Sequence, residues 1–267
     1  MNFKHISFCD ADKKKTIDKV IEIINPKGKI HILNCQGANM AVELLNRKFP
    51  VENIYLVDET IWGNLWKANS NKEFNLDYFY NICKDIPDKN NDAKNYLEFL
   101  SLQDSNFDTL YYFVLLESTN KNKSGVTIKN NRWHNYKFKS FPKTKKISSS
   151  VFDDVSRLFI TLRQAKVYHK NFLSYDPCFG SIYVNNPMSH YGANNVLYYC
   201  NSLSVPCYLH SEKLLTQNGF LVSVDACRKE NCEKLHFFDV QWLSYFKPNV
   251  KYSSTEPWQQ VAQDYIF

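Results

Sequence analysis

The chain has 267 residues and a mass of 31.4 kDa, room for one large α/β domain or one domain with a sizeable insertion. A hydrophobic content of 44% supports a core, while only seven glycines argue against a glycine-rich nucleotide loop. The net charge of +6 is unevenly placed: nine cations fall between residues 118 and 147 with no acid among them, so the rest of the chain is net negative.

No apolar run reaches the roughly 20 residues that a bilayer span needs, so no membrane partner is expected. The N-terminus lacks the apolar stretch of a secretory signal, and the eight cysteines are scattered with none at Cys-x-x-Cys spacing. A cytoplasmic protein with reduced thiols, not a secreted one, and with no metal site is the expectation.

In chain order, residues 13–24 read as a polar helix closed by Asn25-Pro26-Lys27-Gly28. Residues 29–34 read as a strand, Asn34-Cys35-Gln36-Gly37-Ala38 as a tight turn, and 40–46 as a helix. Strand, glycine turn and helix make the first half of a nucleotide-binding βαβ unit. Residues 51–58 are a second strand ending in Asp58, about twenty positions past the glycine, where an acid can accept the hydroxyls of a ribose. Asp58 is equally a candidate N-cap for a helix over 60–68. Three helical patterns follow without a strand, near 74–84, 91–102 and 107–117, and the third is apolar almost all round.

The basic segment then carries Lys121, Lys123, Lys129, Arg132, Lys137, Lys139, Lys143, Lys145 and Lys146, interleaved with Trp133, Tyr136, Phe138 and Phe141. Cations neutralise phosphates and flat rings stack on bases, so the combination points to nucleic acid, against the alternative of a solvated hairpin. Ser150 and Asp153 stand at capping-box spacing for a helix running to about 164. A strand at 166–170 leads into Asn171-Phe172, and a short buried strand at 182–184 runs into Asn185-Asn186-Pro187-Met188. Pro187 ends the ladder and restricts Asn186, which shapes a loop where open α/β sheets bind ligands. Helices over 193–202 and 208–217, a fifth strand at 220–225 after Asn218-Gly219, and a last edge-like strand at 241–246 complete the expectation.

With its elements in this order, the chain resembles the Dam-like class of DNA adenine-N6 methyltransferases over roughly residues 25–250. The resemblance implies a Rossmann-like, S-adenosylmethionine-dependent sheet formed by 1–70 and 148–267, with a helical, basic-hairpin DNA-recognition insertion at 71–147. It implies cofactor contacts at Asn34, Cys35, Gln36, Gly37, Ala38, Asp58, Asn171 and Phe172, where the family has a glycine-rich turn, an acid and a Gly-Asp-Phe-like stretch. It places the catalytic Asp-Pro-Pro-Tyr at Asn185, Asn186, Pro187 and Met188. There Asn185 and the Asn186 carbonyl would accept hydrogen bonds from the flipped adenine's amino group. Met188 lacks a stacking ring, and the turn keeps one glycine, so weakened or absent methyl transfer is implied. The alternative is an inactive relative that binds DNA or a partner protein. No phosphate loop, nucleophile elbow or metal-ligand spacing competes with this reading.

Overall fold

The computed structural model describes residues 2–9, 11–105, 108–142, 146–177 and 180–185, with further strands between 207 and 237. The chain divides into two compact units: one holds 1–9, 36–52 and 60–166, the other 10–35, 53–59 and 167–267. Residues 71–147 all fall in the first unit, together with the helices that precede and follow them.

The second unit is the sheet. Its strands are β1 (Ile30–Leu33), β2 (Ile54–Asp58), β5 (Lys166–His169), β6 (Ser181–Asn185), β7 (Cys207–Ser211) and β10 (Lys234–Phe237), in the spatial order β10-β7-β6-β1-β2-β5. Strands β1 and β2, β1 and β6, and β6 and β7 pair in parallel, while β10 runs antiparallel to β7. This is an α/β protein with a mostly parallel central sheet, compatible with a Rossmann-like fold. Ile30, Ile32, Leu33, Leu56, Val57 and Val184 are buried, as expected for strands with no solvent face. The strand order reverses between β1 and β6. Gly180 fixes that junction: its φ of +116° suits glycine, a Cβ would overlap the Lys29 carbonyl, and the same carbonyl accepts from Ser181 N at 3.0 Å. Helix α1 (Ala11–Ile24) precedes β1 and buries Ile17 and Ile21.

The first unit is helical: α2 (Asn39–Asn46), α3 (Ile61–Ser70), α4 (Leu76–Lys84), α5 (Asn90–Ser101), α6 (Thr109–Thr119) and α7 (Ile147–Leu162). Its core is aromatic. Trp62 meets Phe113 edge-on at 4.6 Å, Trp66 meets Phe159 at 5.1 Å, and Phe74 meets Phe159 at 4.8 Å. The all-apolar helix expected near 107–117 is α6, with Phe113 to Glu117 buried. A two-stranded hairpin, β3 (Thr127–Lys129) and β4 (Arg132–His134), turns through Asn130 and Asn131, both at positive φ. Two positive-φ residues match the twist of the strands they join.

Several expectations need correction. Residues 208–217 are not a helix; they contain β7 and the start of a separate hairpin, β8 (Leu215–Gln217) with β9 (Phe220–Val222). Tertiary pairing of β7 with β6 and β10 overrides the local pattern. The fifth strand of the sheet is therefore β7, not 220–225. Helix α7 starts at Ile147, with Ser150 buried inside it, so Ser150 and Asp153 form no capping box. Starting earlier lets Ile147 join Val151 and Val155 on the buried face. Thr60, not Asp58, caps α3, accepting from Trp62 N at 3.2 Å. The segments expected as a helix over 193–202 and a strand over 241–246 lie outside the described residues.

Candidate functional site

Register decides what the carboxyl edge of the sheet presents. Leu33 is level with both Val57 and Val184. The next residue on each of the three adjacent parallel strands is therefore Asn34, Asp58 or Asn185, at one height across the point where the strand order reverses. In open α/β sheets that is where ligands bind. All three are polar and buried, at 3%, 2% and 8% exposure.

Asn34 and Asn185 are clasped reciprocally. Asn34 Nδ2 donates to the Asn185 carbonyl at 2.7 Å, and Asn185 Nδ2 donates to the Asn34 carbonyl at 3.1 Å. A backbone carbonyl only accepts, so each amide must turn its nitrogen toward the other strand. Asn34 reaches this geometry with φ of +53°, which asparagine tolerates better than most residues. Next to it, Cys35 N donates to the Val57 carbonyl at 3.2 Å and extends the β1–β2 pairing by one step. Burial, and then the negative charge of Asp58, push the Cys35 thiol well above its ordinary range. A thiol held protonated is not a nucleophile.

At the end of β5, Lys170 N donates to the Asp58 carbonyl at 3.1 Å. Asn171 caps the short turn Phe172–Ser174, its Oδ1 accepting from Leu173 N at 2.8 Å, and Phe172 is buried. Both residues have structural roles here. Asn186, Pro187 and Met188 lie outside the described residues.

The remaining turn residues belong to the helical unit. The Gln36 carbonyl accepts from Trp66 Nε1 at 2.7 Å, and Ala38 precedes α2 in a left-handed conformation. Gly37 is required for close approach: a Cβ there would overlap Ser7 Oγ. Sequence reasoning gave no sign of this N-terminal segment, which runs along α2. Ser7 Oγ donates to Asn39 Oδ1 at 2.9 Å, His5 Nε2 lies 2.7 Å from Glu43 Oε1, and Asn46 exchanges two hydrogen bonds with the backbone of Phe3.

No protein-family model matches this chain, and no curated protein matches it. Among the described residues no helix is long and apolar enough to cross a membrane, and no cluster of three His, Cys, Asp or Glu side chains could hold a metal ion.

The basic segment presents a second surface, in the helical unit. Lys121, Lys123, Lys129, Arg132, Lys137, Lys139 and Lys146 are all exposed, while Lys143 and Lys145 lie outside the described residues. Arg132 pairs with Asp104 at 3.5 Å and Lys146 with Asp88 at 3.3 Å, both in water-exposed positions. Two of the four aromatics turn inward, while Tyr136 and Phe141 stay half-exposed. Trp133 is buried and stacks on Phe113 at 6.4 Å, Phe138 is buried, and Tyr136 Oη lies 3.2 Å from Thr119 Oγ1. Trp133 is thus an anchor for the hairpin, not an exposed stacking face. Backbone bonds Lys121 N to the Lys137 carbonyl (2.8 Å) and Lys139 N to the Thr119 carbonyl (2.7 Å) close the base of the segment.

Proposed function

We propose that this chain is a Dam-like, S-adenosylmethionine-dependent DNA adenine-N6 methyltransferase-like protein with divergent motifs. The observation that carries the proposal is the level alignment of Asn34, Asp58 and Asn185 at the reversal point of the sheet. Asp58 is a carboxylate at the end of the second strand, chemistry suited to the two hydroxyls of a ribose. When bound, S-adenosylmethionine supplies the methyl group. In this reading Asn185, which matches the first residue of the catalytic loop, would accept a hydrogen bond from the adenine amino group and leave that nitrogen's lone pair free for methyl transfer. The exposed cations of residues 121–146 would hold the phosphates of the duplex.

Of the cofactor contacts that the resemblance implies, Asp58 fits and the glycine turn does not. The space that Gly37 leaves is filled by Ser7, and Asn171 is committed to capping its own turn. These two observations favour the second reading, a relative that binds DNA or a partner protein without transferring methyl groups.

Calorimetric titration and thermal shift with S-adenosylmethionine separate the two. A one-site ligand at 100 times its Kd stabilises the fold by about 2.7 kcal/mol. The methyltransferase reading expects such a shift in the parent protein and its loss in Asp58→Asn. No shift at millimolar cofactor, with duplex binding retained, leaves the second reading in place.

A further inference from the structure

Residues 3–9 form neither helix nor strand, yet they are tied to both ends of α2. At its last residue, Asn46 Oδ1 accepts from Phe3 N at 2.6 Å and Asn46 Nδ2 donates to the Phe3 carbonyl at 3.1 Å. His5 spans two residues one turn apart, with Nε2 2.7 Å from Glu43 Oε1 and Nδ1 2.9 Å from Asn39 Oδ1. At the first residue, Asn39 Oδ1 also accepts from Ser7 Oγ at 2.9 Å, and Asn39 Nδ2 donates to the Phe8 carbonyl at 3.4 Å. Lys4 Nζ adds a pair with Asp154 on α7 at 2.9 Å. Ile6 is the one buried apolar side chain in the segment. These ties bring Ser7 onto the turn between β1 and α2. A Cβ at Gly37 would overlap Ser7 Oγ and Cβ, and would lie 3.4 Å from Trp62. A glycine after the first strand of such a sheet lets a ligand approach the backbone closely. Here a side chain of the same polypeptide takes that room.

We propose that residues 3–9 are an autoinhibitory strap: Ser7 occupies the approach to the Gly37 backbone, and cofactor binding requires the strap to lift off α2. The inference rests on the S-adenosylmethionine reading above and adds to it the element that controls access. Glycine is needed at 37 in both states, for Ser7 when the strap is down and for the ligand when it is up. Every one of the ties to α2 runs through a side chain, so lifting the strap breaks no ladder or helical hydrogen bond. The helix keeps its own first turn, in which Val42 N donates to the Ala38 carbonyl at 2.9 Å. A stretch without regular structure, held by part-buried polar bonds and one apolar anchor, opens before a packed core does. Lifting also frees Asn39 from Ser7, His5 and Phe8. Its amide then offers an acceptor and a donor, two residues from Gly37, to the polar groups of the ligand. The closed strap acts on affinity through population: if it is down in about nine molecules of ten, apparent binding is weakened about tenfold.

The test measures S-adenosylmethionine binding by calorimetry to the full-length parent protein and two full-length variants, with circular dichroism to show that each keeps its fold. S7G empties the space over Gly37, and H5A/N46A unhooks the strap from α2 while leaving Ser7 in the chain. Both variants are expected to bind about tenfold or more tightly than the parent, by the fraction of molecules in which the strap was closed. In the parent, saturating cofactor should speed hydrogen exchange of the amides of residues 3–9. Tighter binding in S7G alone makes Ser7 a local obstruction and overturns the strap. Binding by the parent that is equalled or weakened in both variants makes the segment a fixed wall of the site, which overturns the strap and leaves the cofactor reading intact. Slower or unchanged exchange over residues 3–9 in the saturated parent does the same. No binding by the parent or by either variant overturns the strap and the cofactor reading together.

Discussion

Asn34 and Asn185 each present an amide nitrogen to the other's backbone carbonyl, and this pair of bonds ties β1 to β6 one residue beyond the sheet ladder. A buried carbonyl that loses its donor costs about 1–3 kcal/mol, so N34A and N185A should each lower stability by that amount. Each single substitution leaves the atoms of the other bond in place. If the two bonds act as one clasp, urea denaturation of N34A/N185A will show a loss at least about 0.5 kcal/mol smaller than the sum of the singles. Strict additivity would mean two independent bonds. Glu117 offers a second test at this scale. It is buried in α6, one oxygen accepts from Val126 N, and the other has no hydrogen-bond partner among the described residues. Burial pushes its carboxyl up to about 8, from an ordinary 4.5. The folded state therefore holds a proton that the unfolded chain has released between these values. The stability gained from the neutral form is full below pH 4.5 and is lost as pH rises to about 8, by up to about 1.4 kcal/mol per unit. Glu117→Gln, which cannot ionise, should flatten the stability profile over that window. An unchanged profile would show that Glu117 ionises as easily folded as unfolded.

At the scale of elements, the hairpin of the basic segment shows how local chemistry and packing share the work. Asn130 and Asn131 supply the two positive-φ positions, at 51° and 58°, that a tight two-residue turn requires. Trp133 and Phe138, turned inward, hold the strands to the helical core, and the alternation of strand side chains then puts the cations outside. Glycine is at ease at positive φ and a β-branched residue is not. Asn131→Gly should leave thermal stability within about 1 kcal/mol of the parent, while Asn131→Val should lower it by about 1–2 kcal/mol. Equal melting temperatures for the two variants would argue that the turn is held by its surroundings alone. The caps of α3 and α4 follow a similar logic: Thr60 and Asn75 each accept from backbone nitrogens of the first turn. Helix α7 has no side-chain cap, and its start is set by burial of Ile147.

At the scale of the whole molecule, the net charge of +6 conceals a division between an acid-free basic segment and a net-negative remainder. If that segment is the DNA contact, affinity is governed by salt. The logarithm of the binding constant falls with the logarithm of salt concentration, with a slope of about −0.9 per phosphate neutralised. Lys129 and Lys137 are exposed, and replacing both with alanine should reduce the magnitude of that slope by about 2 with little effect on stability. An unchanged slope would move the DNA contact elsewhere. The two packing units are each assembled from three separate stretches of chain, with crossings near residues 9, 35, 52, 59 and 166. Neither is a contiguous piece that a truncation could isolate.

By itself, the sequence determined most of the local elements: the strand–turn–helix around Gly37, the acid ending β2, three successive helices, the exposed cations, and a strand running into Asn185. These are set by periodicity, turn chemistry and composition, which act over a few residues. Only the tertiary structure decided that 207–211 is a strand, because partners on both sides outweigh its own pattern. Only it turned Trp133 and Phe138 of the basic segment inward and left Phe99 and Leu102 exposed, since the pattern shows alternation but not which side has a core. The role of Gly37 depended on Ser7, thirty residues away. The clasp between Asn34 and Asn185, 151 positions apart, depended on strand order, which no local pattern carries. Each residue was visible in the chain; their common level at the edge of the sheet is a property of the fold.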